Sequence, residues 1–204
     1  MPLILGTNSI KDTGYNVANS LRFNRGSSDS LTRTPGSASN RKTFTFSTWV
    51  KRSNVSDKQQ IFGVEGGGNN TTWFRLIFSA SETLNLEMYL DEIVTNRVFR
   101  DPSAWMHIVL AVDTTQSTAS NRVKIYINGV QETSFSSSTY PSQNQDLGVN
   151  NTVVHNIGRA DGSNGFAGYL AETVFIDGTQ NAVTDFGEFD EDSPTIWKPK
   201  DVSG

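Results

Sequence analysis

The chain has 204 residues, a formal charge of −4 and no cysteine. That length suits one domain with a sizeable core, and the charge offers no broad basic field for nucleic acid or anionic lipid. The missing cysteine excludes a disulfide framework, a thiolate zinc site and a cysteine nucleophile. No segment reaches the ~20 apolar residues that cross a bilayer, so no membrane insertion is expected. The opening run Met1 to Gly6 lacks a basic flank, and no signal peptide is expected. Ser, Thr and Asn number 23, 21 and 18, and 12 Phe, 5 Tyr and 4 Trp supply the bulk of a core. Small polar residues favour turns and strand ends over helix interiors, which points to many short strands joined by polar loops.

In chain order, Leu21 and Phe23 alternate with polar neighbours in a first short strand. A clearer strand runs from Thr43 to Lys51, with Phe44, Phe46, Thr48 and Val50 on one face and Trp49 on the other. Gln60 to Glu65 is a short apolar run stopped by Gly66-Gly67-Gly68. Trp73 to Phe78 follows. Leu84, Leu86, Met88 and Leu90 then alternate with Asn85, Glu87, Tyr89 and Asp91, and Glu92 to Phe99 forms the next strand. Trp105 to Val112 is apolar on both faces, the mark of a covered central strand. Val123, Ile125 and Ile127 lead into Asn128-Gly129, whose positive φ angles close a type I′ hairpin onto Val130 to Phe135. Val153 to Gly158 and Tyr169 to Ile176 complete the set. Helix is confined to one short turn near 182–189. The expected fold is all-β, a two-sheet antiparallel sandwich or jelly roll.

Four segments in order, Trp105-Met106-His107-Ile108-Val109, Val123 to Gly129, Ile157-Gly158-Arg159 and Phe166 to Leu170, resemble the laminin-G-like, concanavalin A-like jelly roll. That resemblance implies a sandwich whose members often bind carbohydrate, sometimes with calcium. Asn19 to Asn24, Phe44 to Ser53 and the tail from Phe186 are similar to lectin-like domains in virion proteins of marine tailed bacteriophages. The organisation expected is an N-terminal arm over 1–18, a lectin-like sandwich over 19–180 and an extended C-terminal strap over 181–204. The chain is left open to being part of a longer protein.

No catalytic residue is assigned. Glucanase relatives of the fold carry Glu-x-Asp-x-x-Glu on a strand, and retaining glycosidases need two carboxyls ~5–5.5 Å apart. Glu87-Met88-Tyr89-Leu90-Asp91-Glu92 approaches this: Glu87 and Asp91 share a face, and Glu92 points away unless a bulge intervenes. A solvated strand face with a turn explains these residues better. His107 and His155 each sit among apolar residues on a strand and read as satisfied structural histidines. No serine lies in a Gly-x-Ser-x-Gly elbow, and the 65–70 glycine run lacks the end of a phosphate loop.

Sugars are held by aromatic faces and by planar amide or carboxylate groups. The expected carbohydrate-binding residues are therefore Asn70, Trp73, Tyr140, Asp161 and Asn164. Calcium, if used, would sit at Asp161 and Asn164 in the turn Asp161 to Gly165, where oxygen ligands suit a hard cation. Leu3, Leu5, Ile196 and Trp197 are apolar positions near the ends, where docking to a neighbour is expected. The function expected is a non-enzymatic virion module binding host-surface glycan on a tail fibre, spike or head fibre. It would contact other virion proteins and be oligomeric within the particle. A decoration protein of capsid or tail and a glycoside hydrolase are the alternatives.

Overall fold

The computed structural model describes residues 15–65, 72–159 and 164–202. In chain order the strands are β1 (Leu21–Phe23), β2 (Leu31–Arg33), β3 (Thr43–Arg52), β4 (Gln59–Val64), β5 (Phe74–Phe78), β6 (Thr83–Met88), β7 (Glu92–Val98) and β8 (Met106–Asp113). They continue with β9 (Val123–Ile127), β10 (Val130–Gln131), β11 (Phe135–Ser138), β12 (His155–Ile157), β13 (Gly168–Asp177), β14 (Gly187–Phe189) and β15 (Trp197–Pro199). A six-stranded sheet runs β1-β13-β3-β8-β9-β10, and a seven-stranded sheet runs β11-β7-β6-β5-β4-β12-β2. Every pairing is antiparallel. The fold is the two-sheet jelly-roll sandwich that the alternating pattern implies.

Alternation builds the core. Phe44, Phe46 and Val50 of β3 and Ile108, Leu110 and Val112 of β8 face Phe74, Leu76 and Phe78 of β5 and Leu84, Leu86 and Met88 of β6. Phe46 stacks on Phe62 at 4.7 Å between centroids, and Phe44 meets Phe74 edge-on at 5.6 Å. Each buried ring of this kind is worth several kcal/mol against truncation, about 3–5 for Phe→Ala.

Three details depart from the sequence reading. The stretch from Val130 to Phe135 is not one strand: β10 stays with β9, whereas β11 crosses to pair with β7 of the other sheet. A strand at Leu31–Arg33 has no apolar alternation of its own, because all three residues are exposed and their partner β12 orders them. The region near 182–189 holds a 3₁₀ turn, Val183–Asp185, that leads directly into β14.

The C-terminal segment is a third layer rather than a bare strap. β14 and β15 pair as a ribbon, and a second apolar cluster joins Val109 of β8 to Val183, Phe186 and Trp197. This is why β8 is apolar on both faces: Ile108 and Leu110 enter the main core while Val109 meets the ribbon. Trp197 is 8% exposed, so the docking role expected for it is corrected, since its ring is already covered within the chain. Ile196 remains 56% exposed, and Leu3 and Leu5 lie outside the described residues.

Trp197 rests on the Asn128-Gly129 hairpin turn. Both turn residues have positive φ, 49° and 80°, as a type I′ turn requires. A Cβ at Gly129 would lie 2.3 Å from the Trp197 ring. Gly129→Ala is therefore expected to combine left-handed strain with a clash, costing about 2 kcal/mol or more. Limited proteolysis should show faster cleavage within 187–202 while the sandwich stays intact.

Candidate functional site

The outer face of the seven-stranded sheet carries an aligned polar row. Registers place Thr32, Asn156, Gly63, Arg75, Glu87 and Glu92 side by side across six adjacent strands. Their strand neighbours Ile157, Val64, Phe74, Leu86 and Ile93 belong to or pack on the core, so by alternation the row faces away from it. Gly63 is the low point of this row. The Gln60 side chain lies over it, and a Cβ at position 63 would fall 1.8 Å from Gln60 Nε2. Gln60 is 1% exposed and its Nε2 has no hydrogen-bond partner, leaving a desolvated amide donor on this face.

Trp73 stands one step before β5, half-buried, and the Arg75 guanidinium lies over its ring at 5.3 Å. Stacking of this kind holds a planar cation and an aromatic face in fixed relation. Lys58 reaches both Glu87 oxygens, at 2.9 and 3.2 Å, and Asn156 Nδ2 donates to Glu65 Oε1 at 3.2 Å. An open recess of about 560 Å³ is lined by Trp73, Glu87, Met88, Tyr89, Leu90, Asp91 and Glu92. Aromatic rings, planar amides, a guanidinium and carboxylates thus share one shallow face, a set suited to a polyhydroxylated ligand.

The carboxylates are arranged differently from the sequence reading. Asp91 is not on a strand face with Glu87: it closes the β6–β7 turn, exchanging main-chain bonds with Met88, and its Oδ2 accepts from Gln145. That turn returns the chain so that Glu92 stands directly opposite Glu87 on the same face, rather than pointing away.

Of the other expected site residues, Asn70 and Asp161 lie outside the described residues. Tyr140 is partly buried against the main core, and burial raises its phenol pKa. Asn164 sits at the other end of β4 from Trp73, its carbonyl accepting from Gln60 N–H at 2.9 Å. Trp73 follows the register to Glu65, five residues along, so about 16 Å of strand separates the two. Trp73 and Asn164 therefore do not form one site. Among the described residues no three acidic or histidine side chains converge as a cation site. Gln60, Arg75 and Asn156 were missed because their significance is a matter of register, and only Trp73 with its loop gave a local signal.

Both histidines are fully engaged. His155 lies half-buried, with Nε2 accepting from the Asn150 N–H and Nδ1 bonded to the Val153 carbonyl. His107 is bonded by Ser47 and Trp197.

Residues 25–184 match the family model of the concanavalin A-like lectin/glucanases superfamily. The chain belongs to this family. No curated protein matches the sequence. Among solved structures it is similar to domain 4 of AbnA, an extracellular GH43 arabinanase from Geobacillus stearothermophilus, in complex with arabinotriose. The identity there is 20%, the TM-score 0.54, and the match covers 74% of this chain and 68% of that one. It is also similar to NanB with bound Optactamide, at 12% identity and TM-score 0.55, over 84% of this chain and 28% of that one. A Ruminococcus gnavus sialidase CBM40 bound to α2,3-sialyllactose matches at 12% identity and TM-score 0.49, over 82% and 94%. The family match gives the chain a fold of the concanavalin A-like lectin/glucanase type, and the likenesses to the arabinanase domain and to NanB show the same sandwich fold.

Proposed function

We propose that the chain is a non-enzymatic lectin-like module that binds host-surface carbohydrate through the outer face of its seven-stranded sheet. The observation that carries this reading is the cross-strand row Asn156, Gly63 with Gln60, Arg75 and Glu87, flanked by Trp73 and the recess beside it. The carbohydrate-binding character of the fold supports it. The resemblance of the 19–24, 44–53 and C-terminal segments to phage lectin-like domains supports a place in a virion, on a tail fibre, spike or head fibre. In that setting the module contacts other virion proteins and gains avidity from many copies on one particle.

Co-sedimentation of the chain with host-type cell envelopes tests the reading. Saturable binding competed by soluble polysaccharide is expected, and Trp73→Ala is expected to weaken it at least tenfold, about 1.4 kcal/mol. Loss of binding on chelation, together with loss in Asp161→Asn, would assign calcium to the turn holding Asp161 and Asn164. Binding to purified capsid or tail, with none to envelopes, would favour decoration instead.

A second reading has one observation behind it, the facing Glu87 and Glu92. A glycoside hydrolase would release reducing ends from polysaccharide and lose that activity in Glu87→Gln. Binding without such release keeps the lectin reading.

A further inference from the structure

The opposite face, on the six-stranded sheet, carries a second organised surface. Register places Arg22 beside Tyr169 and Tyr169 beside Lys51. Trp105 stands one residue beyond the last β3–β8 pair, Val50 with Met106, and so continues the row next to Lys51. The inner neighbours Phe23, Leu170, Val50 and Met106 are all core residues, so the four side chains project outward together. The row reads cation, ring, cation, ring across four adjacent strands, and at ~4.8 Å per strand it spans about 14 Å.

Three properties set it apart from an ordinary solvated face. Neither Arg22 nor Lys51 has a hydrogen bond or salt bridge among the described residues, although the chain as a whole is acidic. Lys51 contributes to lowering the Asp101 pKa, but the hydrogen bonds that Asp101 takes from Ser103 are the larger cause. Beside the row lies a pocket of about 310 Å³, walled by Trp49, Trp105, Ala171, Asn19, Ser20 and Pro199. Trp105 is 38% exposed there, and the buried Nε1 of Trp49 has no acceptor.

We infer that this face is a second saccharide site, specific for acidic polysaccharide. Sugar rings lie on Trp105 and Tyr169, their carboxylates pair with Lys51 and Arg22, and the pocket takes one further residue. Rings supply contact area for the apolar faces of a sugar, and the alternating cations select for acid groups. The site is independent of the Trp73 face and takes a different ligand class from a neutral glycan.

Affinity electrophoresis of the whole chain through gels containing polygalacturonate or neutral dextran separates the possibilities. Retardation is expected in polygalacturonate alone, falling steeply with salt as screening demands. The double variant Arg22→Gln/Lys51→Gln and the single variant Trp105→Ala should each weaken retardation at least tenfold, with the folded β signature retained in far-UV circular dichroism. Trp73→Ala should leave it intact. Equal migration in both gels would overturn the inference. So would loss in Trp73→Ala without loss in the double variant, which would move the ligand to the other face. Equally effective competition by single-stranded DNA of matched charge would reduce the surface to a non-selective anion binder and also overturn it.

Discussion

Glu82→Ala is expected to be as damaging as the loss of a core phenylalanine ring, costing about 3–5 kcal/mol in urea unfolding. Arg52 is among the largest fully buried side chains, at 1% exposure, and its Nη1 donates to Glu82 Oε2 and to the Phe99 carbonyl, both at 2.6 Å. Its guanidinium also lies 4.3 Å from the centre of the Phe78 ring. Glu82 in turn accepts from the Ser56 N–H through its other oxygen, so it ties the β3–β4 connection to the β5–β6 turn. Removing the carboxylate leaves a guanidinium in a desolvated place with a carbonyl and a ring as its remaining partners, and the large expected cost follows from that uncompensated charge. The pair as such is worth less, because two ions give up hydration to meet there. The double variant Arg52→Met/Glu82→Ala should therefore recover a substantial part of the loss. A double variant less stable than Glu82→Ala alone would show that the stacked guanidinium contributes more through packing than it costs in desolvation.

What the residues made legible follows from the range of the interactions involved. Alternation in β6 and β9 reports which face meets the core, and Asn128-Gly129 specifies its own turn through backbone conformation alone. These signals are local and survive without knowledge of any partner. The strand at Leu31–Arg33 and the ribbon formed by β14 and β15 are ordered by distant segments, so nothing in their own composition announces them. The candidate site has the same character. Trp73 is conspicuous beside a polar loop, but Gln60, Arg75, Glu87 and Asn156 become a row only when β4, β5, β6 and β12 pair in one register. The Glu92 misreading is the same failure on a smaller scale: counting residues along one strand put it on the wrong face, because the turn at Tyr89–Asp91 starts a new strand and resets the alternation.

Acid is expected to loosen the attachment of the C-terminal ribbon, and one buried imidazole sets the range. His107 is stacked between Trp49, at 4.9 Å, and Trp197, at 6.1 Å. An indole nitrogen only donates, so the 2.9 Å bond from Trp197 Nε1 requires His107 Nδ1 to be unprotonated. The ring proton then resides on Nε2, facing Ser47 Oγ at 2.8 Å. Protonation would set a second N–H against the indole N–H, in a place from which water is excluded. Burial lowers the His107 pKa from 6.5 to about 4. Because the folded chain binds this proton less readily than the unfolded chain, the stabilisation is complete above about pH 6.5 and is lost as the pH falls towards 4. A shift of that size corresponds to about 3 kcal/mol, of which about 2–3 should be gone by pH 4.5. Burial also lowers the His155 pKa, so total acid sensitivity does not isolate His107. The difference between the wild type and His107→Gln does, since the amide retains a donor and an acceptor but does not titrate. Urea unfolding at pH 7 and pH 4.5 should show the extra loss in the wild type only. An equal loss in both would place the acid sensitivity elsewhere and leave the Trp49–His107–Trp197 stack as packing without a titrating role.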